Sequence, residues 1–201
     1  AVAAALIAAA VAAADAQRNS SSIPRDPDDK TIVHVLSRIG FGAAPGDITR
    51  VREIGLAKYI EQQLNPSHIP DTEMAARLSV FKTLEMSTQG LARDYYIPAV
   101  MQRRETRRAQ AAAGASPEMN DPAVTPKPDQ PAMQAGRLVF TELTQQKVLR
   151  AAYSERQLEQ VLVDFWFNHF NVFAGKGPTR IYLTEYERDT IRPPVFGRFR
   201  D

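Results

Sequence analysis

The sequence predicts an all-α protein: an irregular multi-helix domain built around one central apolar helix, forming the N-terminal portion of a larger domain. Three observations carry this. Apolar residues recur at the i, i+3, i+4, i+7 spacing of half-buried helices in one segment after another. No segment reads convincingly as the two-residue alternation of a strand. Glycines and prolines fall between the periodic segments, where helices start and stop.

The elements follow in order. Asp28 or Asp29 caps a first helix whose apolar stripe is Ile32, Val35, Leu36 and Ile39. Gly40 and Gly42 break it, and Pro45 opens a second helix carrying Ile48 and Val51 that ends at Gly55. A third holds Leu56, Ile60 and Leu64 and stops at Pro66. Met74, Leu78, Phe81 and Leu84 mark a fourth, and a fifth runs from Leu91 to Ala113 with a kink or restart at Pro98. Residues 114–131 hold five prolines, which reads as a disordered insert. Helix resumes near Met133 and continues to Tyr153. Ser154-Glu155-Arg156-Gln157 then forms an S-x-x-Q capping box for the most apolar helix, which includes VLVDFWFNHFNVF (161–173). Phe165, Trp166 and Phe170 are expected to be largely buried in it. A last helical piece covers Tyr182 to Ile191, before Pro193-Pro194.

The two ends carry their own expectations. Residues 1–14 are apolar and lead into Ala14-Asp15-Ala16, the pattern of a partial signal peptide (1–16) cleaved before Gln17. A polar leader, 17–27, separates it from the helical domain of 28–201. The apolar stretch is short for a membrane span, so no stable span is expected in the mature chain. The protein is therefore expected to be exported, to the periplasm or beyond. A first residue other than methionine and the abrupt stop at Asp201 are what a fragment would show, one that continues past 201.

Composition excludes more than it assigns. Lys and Arg total 25 against 23 Asp and Glu, without the clustered excess that nucleic acid binding requires. Cysteine is absent, which removes disulfides, thiolate ligands and cysteine nucleophiles together. His34, His68 and His169 are the only histidines, too few for a histidine-rich metal site, and no metal or cofactor is expected. Gly40-Phe41-Gly42 lacks the third glycine of a dinucleotide fingerprint, and Gly175-Lys176-Gly177 lacks the Ser or Thr of a P-loop.

Candidate chemistry gathers on the apolar helix. Asp164, Asn168 and Asn171 fall at i, i+4, i+7 and make one polar stripe, with His169 beside it. Two readings stand. Asp164 and His169 bind a ligand or move a proton in a pocket, or the same residues form a buried network that locks helix to helix. His34 and Arg38, i and i+4 on the first helix, either meet an anionic group or serve as a cap and salt-bridge pair. The catalytic candidates are thus Asp164, His169 and His34, and the ligand-binding candidates Arg38, Asn168 and Asn171. Arg103, Arg104, Arg107 and Arg108 form a cationic helix face that reads chiefly as solvated surface. Glu185, Glu187 and Asp189 have Arg188 and Arg192 within helical reach, and surface ion pairs account for them.

The stretches HVLSRIGFGAAPGD (34–47), GLAKYIEQQLNP (55–66), SERQLEQVLVDFWFNHFNVFAGKG (154–177) and YLTEYERDTIRP (182–193) resemble the N-terminal part of the bacterial family called domain of unknown function 1800. FWFNHFNV is the most specific of these pieces. The resemblance implies a mostly helical, exported protein more than twice this length. It also implies association with a second exported protein, of the domain of unknown function 1501 family, and it implies no activity. One departure stands out: Arg192-Pro193-Pro194 occupies a position where the family pattern has Arg-Pro-His. The resulting reading is an uncharacterised secreted or periplasmic helical protein. Its alternatives are an exported enzyme whose Asp/Asn/His pocket is completed beyond residue 201, and an envelope binding or scaffold protein.

Overall fold

The structure is a computed structural model that describes residues 23–112, 131–170 and 172–198. The signal peptide expected at 1–16, the first part of the expected leader, the proline-rich stretch apart from Pro131, and Asn171 lie outside the described residues. Every regular element among the described residues is helical, as the periodicities require. The chain divides into two compact units, Ala1–Asn65 and Pro66–Asp201.

The first unit consists of α1 (Asp29–Ile39), α2 (Asp47–Ile54) and α3 (Leu56–Leu64). Asp28 is the cap of α1: its carboxylate accepts the Thr31 amide at 2.9 Å and the Thr31 hydroxyl at 2.6 Å. These two bonds, the hydroxyl's first, hold the Asp28 carboxyl below its usual range. Gly46 (φ 90°) and Gly55 (φ 89°) make the two tight corners of the unit. A Cβ would meet open space at either corner, so the left-handed backbone is what calls for glycine. Ile32, Leu36, Val51, Leu56 and Tyr59 close the core from all three helices. An Arg52–Asp29 ion pair ties α2 to the start of α1.

The second unit opens with a single 3₁₀ turn, Pro66–His68, and a short α4 (Thr72–Leu78). A longer rod follows: α5 (Thr88–Leu91), a π turn (Ala92–Tyr96) and α6 (Ile97–Ala112). Pro98 has no amide to donate and would crowd the carbonyl one turn back, and the backbone widens into the π turn immediately before it. Next come α7 (Pro131–Tyr153) and α8 (Gln157–His169). A 3₁₀ turn (Gly177–Ile181), α9 (Leu183–Glu185) and a second π turn (Tyr186–Ile191) complete the unit.

Packing in this unit converges on α7, which touches α4, the first π turn, α6 and α8. Gly136 makes the closest approach possible, because a Cβ there would lie 3.0 Å from the Ala99 side chain. Glu142, buried on α7, accepts the Thr83 amide at 2.8 Å and its hydroxyl at 2.7 Å, fixing the loop between α4 and α5. The Ser154–Gln157 box departs from its expected form. Ser154 Oγ accepts the Arg156 amide at 3.1 Å and donates to Asp71 at 2.8 Å, while Gln157 donates to the Ala151 and Ser154 carbonyls. The motif therefore joins the α7–α8 corner to the start of α4.

The expectation of a deeply buried α8 is corrected. Gln160 and Val163 are buried, but Phe165 and Phe170 are 55% and 52% exposed and Trp166 is half-buried. Apolar residues all round a helix show that it can be buried, not how many of its faces meet a neighbour. Here α8 contacts α7 and the second π turn, and its other side faces outward.

Candidate functional site

The densest polar assembly lies where α7, α8 and the second π turn meet, and Glu187 is its centre. That carboxylate is 2% exposed. Its Oε1 accepts from Gln146 Nε2 at 2.7 Å and from Arg192 Nη2 at 3.0 Å. Its Oε2 lies 3.3 Å from Lys147 Nζ, close enough for charge attraction but without the alignment of a hydrogen bond. Arg192 also donates to Gln160 Oε1 at 2.8 Å and lies 3.5 Å from Glu159. Gln146 is polarised from both ends, since its Oε1 accepts from Arg150 Nε at 2.8 Å.

Arg150 feels the cost of this environment. Burial, then the neighbouring Arg192, push its guanidinium down to about 10, against the pull of Glu187, Glu159 and Asp71. It remains a cation at neutral pH. A cavity of about 50 Å³ sits inside the network, lined by Gln146, Arg150, Thr184, Glu187, Arg188 and Arg192. That volume suits water, which needs roughly 10–15 Å³, and is too small for an organic ligand. Thr184 Oγ and Glu187 Oε2 are buried without a hydrogen-bond partner among the described residues.

The sequence candidates are distributed differently from this cluster. Asp164 is half-exposed and joins the network's edge through Lys147 Nζ at 3.5 Å. Asn168 is exposed and donates back to the Asp164 carbonyl at 2.8 Å, a bond within its own helix. His169 is exposed; its ring stacks on Phe165 at 5.7 Å and meets Trp166 and Phe170 edge-on at 5.4 Å. No hydrogen bond joins His169 to Asp164 among the described residues. His34 and Arg38 are exposed on α1, in the first unit, without a hydrogen bond or ion pair among the described residues. Asn171 lies outside the described residues. Arg103, Arg104, Arg107 and Arg108 are exposed along α6.

Glu187, Gln146, Arg150 and Arg192 are the residues that sequence reasoning misses or places on the surface. A signal for Glu187 is present: Leu183, Glu187 and Ile191 repeat every four residues, and all three are buried. On α7 the stripe Val139, Leu143, Gln146, Arg150 begins apolar and turns polar without leaving the packed face. Surface pairing does describe Arg188, whose Nε lies 2.8 Å from Asp189. The same guanidinium donates to the Leu84 and Met86 carbonyls at 2.7 and 3.1 Å, clamping the second π turn to the loop before α5.

A second feature opens at the C-terminal end of α8. Trp166, Phe170, Tyr186, Ile191, Pro194 and Val195 wall a cavity of about 580 Å³. Phe165, 55% exposed and edge-on to Trp166 at 5.2 Å, extends the aromatic surface beyond it. Among the described residues no three His, Cys, Asp or Glu side chains converge as a metal site requires, and no helix is long and apolar enough to cross a membrane.

The family described as "Protein of unknown function (DUF1800)" matches residues 34–201. No curated protein and no solved structure matches the chain.

Proposed function

Because the chain belongs to the DUF1800 family, whose description assigns no activity, we propose a function from the geometry: an exported helical binding protein that seats an apolar side chain of a protein partner in the cavity beside Trp166. One observation carries the reading. The chain's single tryptophan and Phe170 wall a cavity of about 580 Å³ while half or more of Phe165 and Phe170 stays exposed. Exposed aromatic patches of this kind mark interaction sites on soluble proteins, and aromatic side chains are enriched at interface centres.

The polar network supports the same choice. Glu187, Gln146, Arg192 and Arg150 bond chiefly to one another around a water-sized void, which suits a lock between helices better than a reaction centre. Asp164 and His169 lack the mutual hydrogen bond that proton transfer would use. Export rests on residues 1–16, with their apolar run and small-x-small end. The resemblance supplies the first partner to try, an exported protein of the domain of unknown function 1501 family.

Trp166 provides the readout. Titrating that partner into the protein should shift the tryptophan emission to the blue as the cavity fills. Phe170→Ser should weaken binding by about tenfold or more, as hot-spot aromatics do, with thermal unfolding little changed. An unaltered affinity in Phe170→Ser would refute this assignment of the surface.

A further inference from the structure

We propose that the cavity beside α4 is a binding site for a monocarboxylate with an apolar tail, on a different surface from the aromatic cavity. It measures about 410 Å³, within the range of small-ligand pockets, and it is lined by residues of two opposite kinds. Arg150 and Arg156 are its cations, Pro70, Met74, Ala75 and Leu78 its apolar residues, and Asp71 and Thr72 complete the lining.

Both arginines are held by a single nitrogen. Arg150 Nε donates to Gln146 at 2.8 Å, and Arg156 Nε donates to the Ile69 carbonyl at 2.9 Å. The Nη atoms of both guanidiniums make no hydrogen bond among the described residues. A planar guanidinium with its outer edge open matches the two oxygens of a carboxylate, and an anion there relieves the cost of partly buried positive charge. Burial already weighs on Arg150, whose guanidinium is pushed down to about 10.

Charge selects the anion. Asp71 also lines the cavity, but its oxygens are taken by Ser154 Oγ at 2.8 Å and the Glu155 amide at 3.3 Å. Two arginines and one aspartate leave a formal +1, which one carboxylate neutralises and a phosphate dianion would overshoot, facing Asp71 as it did so. The apolar residues take the tail. A free aliphatic acid and a peptide carboxy terminus with an apolar last residue share this chemistry.

Calorimetric titration of the purified protein with octanoate and with octylamine tests the proposal. Octanoate should bind and octylamine should not. Arg156→Gln should weaken octanoate by about tenfold or more. Ala75→Phe, which fills the cavity from an exposed position on α4 without touching a charge, should abolish it. Arg150→Gln disturbs the Glu187 network as well, so Arg156 and Ala75 carry the test. Acetyl-Ala-Ala-Leu as free acid and as amide separates the two sources: an acid that binds more tightly than octanoate identifies a peptide terminus, and a weaker one a free acid. Absence of octanoate heat at millimolar concentration, equal binding of octylamine, or unchanged octanoate binding in Ala75→Phe would each overturn it.

Discussion

Replacing Glu187 by Gln isolates what the buried network contributes. The amide keeps the shape of the side chain and an oxygen for Gln146 Nε2 and Arg192, so packing is preserved and only the charge is lost. Arg192 at 3.0 Å and Lys147 at 3.3 Å then lack their buried counter-charge. They are not equally stranded. Lys147 retains Asp164 at 3.5 Å on the more exposed side, and Arg192 retains Glu159 at 3.5 Å and Gln160 at 2.8 Å. Arg150 keeps its bond to Gln146 but loses the largest favourable charge acting on it. Removing one member of a buried ion pair costs about 3–5 kcal/mol, and the partial compensations place Glu187→Gln near the lower end, about 3 kcal/mol. For a chain of this size that corresponds to a fall in Tm of roughly 6–12 °C. Urea unfolding followed by Trp166 emission, with a circular-dichroism melt beside it, measures both. Glu159→Gln, whose partner lies farther away at 3.5 Å, should cost clearly less. A loss below about 1 kcal/mol for Glu187→Gln would equal an exposed salt bridge and would refute the assignment of this cluster as a structural lock.

Three further outcomes are expected. His169→Ala should change stability by less than about 1 kcal/mol, because the ring is exposed and touches only other rings; a loss above about 2 kcal/mol in urea unfolding would show packing that its position does not account for. The Thr88 hydroxyl, then its amide, hold the Glu185 carboxyl below its ordinary 4.5, so the stability it contributes is complete above that value and lost as pH falls through the lower folded-state value. Melts taken from about pH 5 downward should fall less steeply in Glu185→Gln than in the natural protein, and parallel curves would contradict the shift. Protein recovered from a secreting host should begin at Gln17, and an intact Ala-rich start would contradict export.

Helix positions are legible where one apolar stripe faces one core. Ile32, Leu36, Val51 and Leu56 follow directly from their spacing, and Asp28 caps α1 because it stands where its carboxylate reaches the Thr31 amide. Legibility fails where burial depends on distant partners. Leu64 fits the apolar stripe of its helix and is 54% exposed, whereas Gln63 beside it is buried. Periodicity carries the fourth helix through to Leu84, yet it stops at Leu78, and Phe81 and Leu84 belong to the loop that Glu142 fixes at Thr83. Glu142 lies 59 residues further along the chain, and no local periodicity reports a contact of that range.

The site is hidden by a different cause, a change of helical period. Glu187 and Arg192 are five residues apart, and at 3.6 residues per turn such a pair points about 140° apart around a helix. Counting in α-helical steps therefore pairs Arg188 and Arg192 with Glu185 and Asp189, and leaves Glu187, on the face of Leu183 and Ile191, without a cation. The backbone from Tyr186 to Ile191 instead closes i to i+5, with the Arg192 amide bonded to the Glu187 carbonyl at 3.0 Å. The wider turn brings the two side chains together, and Arg192 reaches Glu187 Oε1 from the buried side. Glu187 shares a face with Leu183 and Ile191 in either period, and its charge is met by cations from α7 and from beyond the turn. Tightening this segment to a regular α-helix would rotate Arg192 away from Glu187 and break the lock. The π turn is thus the local feature on which the polar network depends.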